Sequence, residues 1–196
     1  MKIFYIIGMS GSGKTTLYNN LLDILDNEIE PLIQYTTRPK REDEVDGEDY
    51  YFISDKEFCR MIDQDEFIEH REYKTYNGIY KYGTSYINLD ENKNYIASGS
   101  DIIAYENIFK FFGKDTVIPI VLYADDKVIL KRTISRCNNN RENLKEVCRR
   151  FCDDIDRYDH NRIKDLYNIP EENIFDTTNK KATIVTLNVL KLIDKY

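Results

Sequence analysis

The sequence predicts an α/β protein in which a mostly parallel sheet is covered by helices on both faces. Three observations carry this expectation. Strand-like and helix-like segments alternate along most of the 196 residues, the pattern of βαβ units. The first of them, Ile3-Phe4-Tyr5-Ile6-Ile7, is apolar without a break, as a strand buried on both faces must be. Directly after it, Gly8-Met9-Ser10-Gly11-Ser12-Gly13-Lys14-Thr15-Thr16 fits the phosphate-cradling pattern G-x-x-x-x-G-K-[ST].

Each residue type in that loop has a physical reason. Glycines let backbone N–H groups curl around phosphate oxygens, and the N-terminus of the following helix adds partial positive charge. Lys14 is placed to reach the β- and γ-phosphates of a nucleotide, and the Thr15 hydroxyl to ligate Mg²⁺. Ser10, Gly11, Ser12, Gly13, Lys14, Thr15 and Thr16 together form the expected cradle. Strand, loop and helix in this order make the sheet one of the P-loop NTPase type.

The remaining elements follow in order. The helix after the loop, with apolar positions at 17, 21, 22, 24 and 25, runs to about residue 27. A short strand is expected from Leu32 to Thr36, then a charged loop from Thr37 to Asp49. That loop sets Arg38, Lys40 and Arg41 among Glu42, Asp43, Glu44, Asp46 and Glu48. Strands at 50–53, 66–73 and 76–82, with a helix over Asp55–Asp63, form a small β-rich subdomain of short antiparallel strands. The α/β alternation resumes with strand 94–98, helix 101–112, strand 116–122 and helix 126–137. Pro119 is awkward inside a central strand because it lacks a ladder donor. A helix at about 142–158, a strand at 173–176 and a helix at 182–194 complete the chain. The segments 35–90 and 132–160 interrupt the core pattern and are placed to act as moving lids.

Bulk properties narrow the function. Charged residues at 32% and no apolar run near the roughly 18 residues of a membrane span describe a water-facing protein, expected in the cytoplasm. A formal charge of −7 argues against binding a nucleic acid polymer, which relies on a basic surface. Two histidines, His70 and His160, and four cysteines without a C-x-x-C pair exclude the usual metal spacings. Cys148 and Cys152, at i, i+4 spacing, are expected as a buried pair of reduced side chains.

The segment from Tyr35 to Phe52, Tyr-Thr-Thr-Arg-Pro-Lys-Arg-Glu-Asp-Glu-Val-Asp-Gly-Glu-Asp-Tyr-Tyr-Phe, resembles the monophosphate-site signature of the guanylate kinase family. The resemblance continues through Ser54 to Phe58, Glu66-Phe67-Ile68-Glu69 and Tyr82-Gly83-Thr84, and with the phosphate loop covers most of residues 1–84. It implies a single domain, 1–196, with a core of 1–34, 92–131 and 161–196. A nucleoside monophosphate subdomain would span 35–91 and a helical lid 132–160. It implies ATP·Mg²⁺ on the phosphate loop and GMP or dGMP as acceptor, the products being ADP and GDP or dGDP.

Physical chemistry fits those roles. Arginine forks meet phosphate oxygens bidentately, so Arg38 and Arg41, with the hydroxyls of Tyr50 and Tyr82, are expected to clamp the acceptor phosphate. Glu69 can accept both N1–H and N2–H₂ of guanine, with Thr84 adding a hydroxyl. Lid arginines neutralise charge during transfer. The resemblance suggests Arg132, Arg136 and Arg149, with Arg150 competing for the role of Arg149.

Three departures from the family pattern bear on the acceptor. Gln34 stands where the family has a base-contacting serine. Residues 73–81 are longer than the usual turn. Ser98 and Ser100 stand where the next core strand carries acidic residues, leaving Asp101 as the nearby carboxylate that either substitutes for them or does not. Two other functions therefore stay in view. One is a kinase with a changed acceptor, another nucleoside monophosphate or a ribose bisphosphate. The other is a non-catalytic module binding phosphopeptides in the monophosphate site. Oligomeric state has no signal in the sequence.

Overall fold

The computed structural model describes residues 1–75, 78–99, 102–135 and 141–196. In chain order its strands are β1 (Ile3–Ile7), β2 (Ile29–Pro31), β3 (Tyr35–Thr36), β4 (Tyr51–Phe52), β5 (Phe67–Thr75), β6 (Gly78–Ser85), β7 (Asn94–Gly99), β8 (Val117–Tyr123) and β9 (Ile174–Asp176). The α-helices are α1 (Lys14–Leu25), α2 (Asp55–Asp63), α3 (Ile102–Phe112), α4 (Asp126–Ser135), α5 (Arg141–Arg157), α6 (His160–Tyr167) and α7 (Ala182–Ile193).

Five strands form a parallel sheet in the order β2-β7-β1-β8-β9. Strand periodicity decides what lies on each face. Ile3, Tyr5 and Ile7 point to one side, where Tyr105 and Ile108 of α3, Ile129 of α4 and Ile163 of α6 close over them. Phe4 and Ile6 point to the other, against Leu17 and Leu21 of α1 and Val185 and Val189 of α7. All five residues of β1 are buried, so the unbroken apolar run has its explanation in the two helical layers.

Pro119 lies in the middle of β8, paired with Tyr5, and costs the sheet no ladder bond there. The N–H and C=O of a strand residue point to the same side. The Pro119 carbonyl accepts from Asn173 Nδ2 at 2.8 Å, so its missing N–H faces the β9 side, where pairing begins only at Val121 and Ile174.

The second sheet runs β4-β3-β6-β5. It is mixed rather than all antiparallel, because β3 and β4 pair in parallel. The expected strand at 32–36 divides between the two sheets. Leu32 N donates to Ile96 O at 2.8 Å, closing the β2 edge of the parallel sheet, and Tyr51 N donates to Gln34 O at 2.9 Å in the second. Residues 33 and 34 are thus the crossover, and Gln34 sits where the chain changes sheet. Helix α2 matches its expected bounds and is capped by Ser54 Oγ, which accepts from Glu57 N at 3.1 Å.

Three further corrections concern the helices. Helix α1 begins at Lys14, with Gly13 at φ 104° as its cap. Helix α6 was not expected. Asp159 accepts from Asn161 N and Arg162 N at its start, and Asn168 ends it in the left-handed region at φ 50°. Cys148 and Cys152 are exposed on α5 rather than buried, and among its described side chains it is Val147, Phe151 and Asp154 that are partly buried. Among the described residues no helix is long and apolar enough to cross a membrane.

Candidate active site

The first group of candidate residues lies at the carboxyl end of β1. There the phosphate loop turns into α1 under two backbone constraints. A Cβ on Gly8 would stand 2.4 Å from the Leu122 carbonyl oxygen of β8, so the loop runs too close to its neighbour for any side chain. Gly13 instead meets nothing, and its constraint is the φ of 104° that starts the helix.

Within the loop, Lys14 Nζ donates to Gly8 O at 2.8 Å and Met9 O at 2.9 Å, folding the ammonium across the cradle. Ser12 is fully buried; its carbonyl accepts from Thr177 Oγ1 at 2.9 Å, and its hydroxyl has no hydrogen-bond partner among the described residues. Thr15 and Thr16 are exposed at the first turn of α1. Arg132 of α4 donates to Thr177 O at 2.7 Å and Thr177 Oγ1 at 3.2 Å, with Gly11 O at 3.5 Å. It therefore braces the loop against the end of β9. Ser10 N donates to Asp154 Oδ2 of α5 at 2.9 Å, which seats a carboxylate on the loop.

The expected phosphate clamp is built on the second sheet. Arg38 Nη2 and Nη1 donate to the two Glu44 oxygens at 2.6 and 2.9 Å, and Arg41 N donates to Glu44 Oε2 at 2.8 Å. The Arg38 guanidinium carbon lies 5.5 Å from the ring centres of Tyr50 and Phe52. The hydrogen bond it donates to Glu44 holds Arg38 above its ordinary pKa, and the same bond holds Glu44 below the usual carboxylate value. Tyr50 and Tyr82 stand edge to face at 5.8 Å, and burial raises the Tyr50 hydroxyl. The Arg41 side chain is exposed, so only its main chain joins the cluster.

Glu69 is deeply buried, its side chain 1% exposed on β5. Thr84 Oγ1 donates to Glu69 Oε1 at 2.6 Å, and Gln34 Nε2 donates to Thr84 Oγ1 at 3.1 Å. Arg71, not singled out from the sequence, places Nη1 2.6 Å from both Glu69 oxygens. Its position two residues from Glu69 on a strand, hence on the same face, is the signal that could have found it. Burial, the largest single influence, would lower the Arg71 pKa, but the charge and hydrogen bond of Glu69 together with the nearby tyrosines make the net shift upward.

The other expected residues are less tightly gathered. Ser98 pairs with Ile6 at the end of β7, beside the start of the loop. Arg149 is exposed and donates to Asp153 one turn along α5 at 2.6 Å; Arg150 is exposed too. Arg136, Ser100 and Asp101 lie outside the described residues. A cavity of about 750 Å³ opens beside the loop, walled by Gly8, Met9, Asp125, Tyr158, His160 and Asp176, with His160 stacked on Tyr123 at 4.0 Å. Lys14, Arg38 and Glu69 do not line it. No group of three or more His, Cys, Asp or Glu among the described residues is arranged to hold a metal.

Known proteins resemble this chain in sequence and in fold. A family model described as guanylate kinase matches residues 1–181. The guanylate kinase of Anaplasma phagocytophilum is 29% identical over 191 residues, 96% of this chain and 88% of that one. The guanylate kinase of Geobacter sulfurreducens is 43% identical over 102 residues, 52% of this chain and 46% of that one. The chain thus spans about half the length of some curated relatives it matches and most of another. A crystal structure of guanylate kinase from Anaplasma phagocytophilum superposes with a TM-score of 0.62 at 18% identity, covering 100% of this chain and 85% of that one. At that identity the likeness establishes the fold.

Proposed function

The chain belongs to the guanylate kinase family, and on that premise we propose that it transfers the γ-phosphoryl group of ATP to GMP or dGMP, giving ADP and GDP or dGDP. The observation that supports this reading is a buried carboxylate, Glu69, in a chain that also keeps Arg38 and an intact phosphate loop. A scaffold that only binds phosphopeptides needs neither Lys14 nor a buried acceptor of hydrogen bonds.

In this reading ATP lies on Ser10 to Thr16, with Lys14 leaving the Gly8 and Met9 carbonyls for the β- and γ-phosphates. The exposed Thr15 hydroxyl suits Mg²⁺, which takes most of its ligands from phosphate oxygens and water rather than from a protein cage. Bound there, Mg²⁺ neutralises charge on the β- and γ-oxygens. Arg38 gives up Glu44 for the acceptor phosphate, with Arg41, Tyr50 and Tyr82 beside it. Glu69, Thr84 and Gln34 hold the base, and Asp101, which lies outside the described residues, is the further acceptor-site candidate from the sequence. An oxygen of the acceptor phosphate attacks the γ-phosphorus as the bond to the β–γ bridging oxygen breaks. That oxygen is already ionised, so alignment and charge neutralisation by Lys14, Arg132, Arg136 and Arg149 do the work and no general base is required.

In this reading the labour divides among a core of 1–34, 92–131 and 161–196, an acceptor subdomain of 35–91 and a lid of 132–160. A cytoplasmic setting follows from the substrates. The test is ADP release from ATP·Mg²⁺ with GMP, dGMP, AMP, CMP, UMP, dTMP and ribose bisphosphate. Turnover confined to GMP and dGMP, lost in Lys14→Ala, is the expected result. Turnover with another acceptor alone, or none at all despite ATP binding, overturns it.

A further inference from the structure

Arg71 closes a ring of four side chains. Its Nη1 donates to both Glu69 oxygens at 2.6 Å, and its Nη2 donates to Gln34 Oε1 at 3.2 Å. Gln34 Nε2 donates to Thr84 Oγ1 at 3.1 Å, and Thr84 Oγ1 returns to Glu69 Oε1 at 2.6 Å. The reach of the amide at position 34 makes the ring possible, because a serine hydroxyl there would end two bonds short of Arg71. Gln34 and Arg71 are therefore one coupled feature of this pocket.

The ring also has the chemistry of the bound base. The N1–H and N2–H₂ edge of guanine is a fragment of a guanidine, and here the Arg71 guanidinium occupies the same two acceptor oxygens. Guanine reaches Glu69 only if Arg71 shifts. A large shift is opposed, since the side chain is 16% exposed and Nε donates to Tyr73 Oη at 3.0 Å. Separating a buried arginine from its carboxylate without a replacement is costly. Guanine supplies that replacement next to N1–H, in its O6 carbonyl oxygen. One donor from Arg71 and two acceptor oxygens from Glu69 match the acceptor–donor–donor edge of guanine. Adenine opposes a donor, its N6 amine, to the arginine.

We propose that Arg71 is a specificity-determining residue of the acceptor site, held over Glu69 by Gln34 in the empty pocket and donating to guanine O6 when the base is bound. This rests on the guanylate kinase reading. The test compares kcat/KM for GMP and for 6-thioguanosine monophosphate, which keeps N1–H and N2–H₂ but replaces O6 by sulfur, a weaker acceptor. The wild-type chain should favour GMP by about tenfold, the value of one hydrogen bond to a charged donor. Arg71→Met should bring the ratio close to one, with the change in KM for GMP and kcat nearly unaltered. Arg71→Lys, which keeps a charged donor, should restore part of it. Gln34→Ser, a milder change that only loosens the guanidinium, should lower the ratio too. A ratio unchanged in Arg71→Met and Gln34→Ser overturns the proposal even if both substrates weaken, because a purely structural arginine would penalise them equally. In that case the GMP activity of the wild-type chain leaves the family reading standing. Absence of wild-type GMP turnover overturns both.

Discussion

The Ser10 amide donates to Asp154 Oδ2 at 2.9 Å, placing a carboxylate where the phosphate loop is shaped to take an anion. Glu44 stands in the same relation to Arg38. The chain thus sets its own acids against two of the groups proposed to bind anions, and in the proposed function each substrate phosphate replaces one of them.

ATP binding should therefore tighten when Asp154 is removed. A partly exposed charge-assisted hydrogen bond is worth about 1 kcal/mol net, or roughly fivefold in affinity. Calorimetric titration of Asp154→Ala with ATP is expected to give a Kd lower by about that factor. A weaker Kd would mean that Asp154 supports the bound state instead of competing with it.

The Arg38–Glu44 pair predicts a pH-dependent stability. Glu44 has a native pKa below its unfolded value, chiefly through the hydrogen bond from Arg38. Its contribution is complete above the ordinary carboxylate value of about 4.3 and is lost as pH falls through the lower native value. Both side chains are mostly buried, at 12% and 11% exposed, so the loss in Glu44→Gln at neutral pH should be about 1–2 kcal/mol, between exposed and fully buried pairs. Thermal melts of wild type and Glu44→Gln should differ most near neutrality and converge under acid conditions. A difference independent of pH would remove the ion pair as its cause.

How much of this was legible depends on the range of each signal. The two-faced burial of β1 could be read from five consecutive apolar residues, because strand period and helix period are local properties. The division of segment 32–36 between the two sheets could not, since it depends on which distant strand offers a partner, Ile96 on one side and Tyr51 on the other. Helix α6 did carry local signals in Asp159 and Asn168, but its eight residues give the period little room to show. In the site, Lys14, Arg38 and Glu69 belong to spaced motifs and were legible. Asp154 was not, because its bond to Ser10 spans 144 positions and acids on a helix surface look alike in sequence. The exposure of Cys148 and Cys152 was missed for a related reason, as i, i+4 spacing fixes a shared face without saying which way it points.

Two glycines of the loop separate steric from conformational constraint. Gly8→Ala drives a Cβ to 2.4 Å from the backbone oxygen of Leu122, which β8 cannot move aside. Overpacking of this kind costs about 1–3 kcal/mol, at the upper end where the neighbour is backbone. Gly13→Ala meets nothing within 4 Å and carries only the penalty of φ 104°, about 1–2 kcal/mol. Urea unfolding should therefore rank Gly8→Ala as the more destabilised. The reverse order would place the strain at the start of α1 rather than against β8.

Tyr105 offers a stabilising change. Its side chain is fully buried on α3, and its hydroxyl has no hydrogen-bond partner among the described residues. Burial holds its pKa well above the ordinary tyrosine value. The ring is what the core uses, meeting Tyr5 at 5.5 Å, Phe109 at 5.7 Å and Tyr167 at 5.3 Å between centroids. Tyr105→Phe keeps those contacts and deletes only an oxygen that left water without finding a partner, a burial cost of about 1 kcal/mol. For a chain of this size that is a rise in Tm of about 2–4 °C by calorimetry, with the site, on other elements, unaffected. A fall in Tm would mean that the hydroxyl is hydrogen-bonded in solution, and the loss would measure that bond.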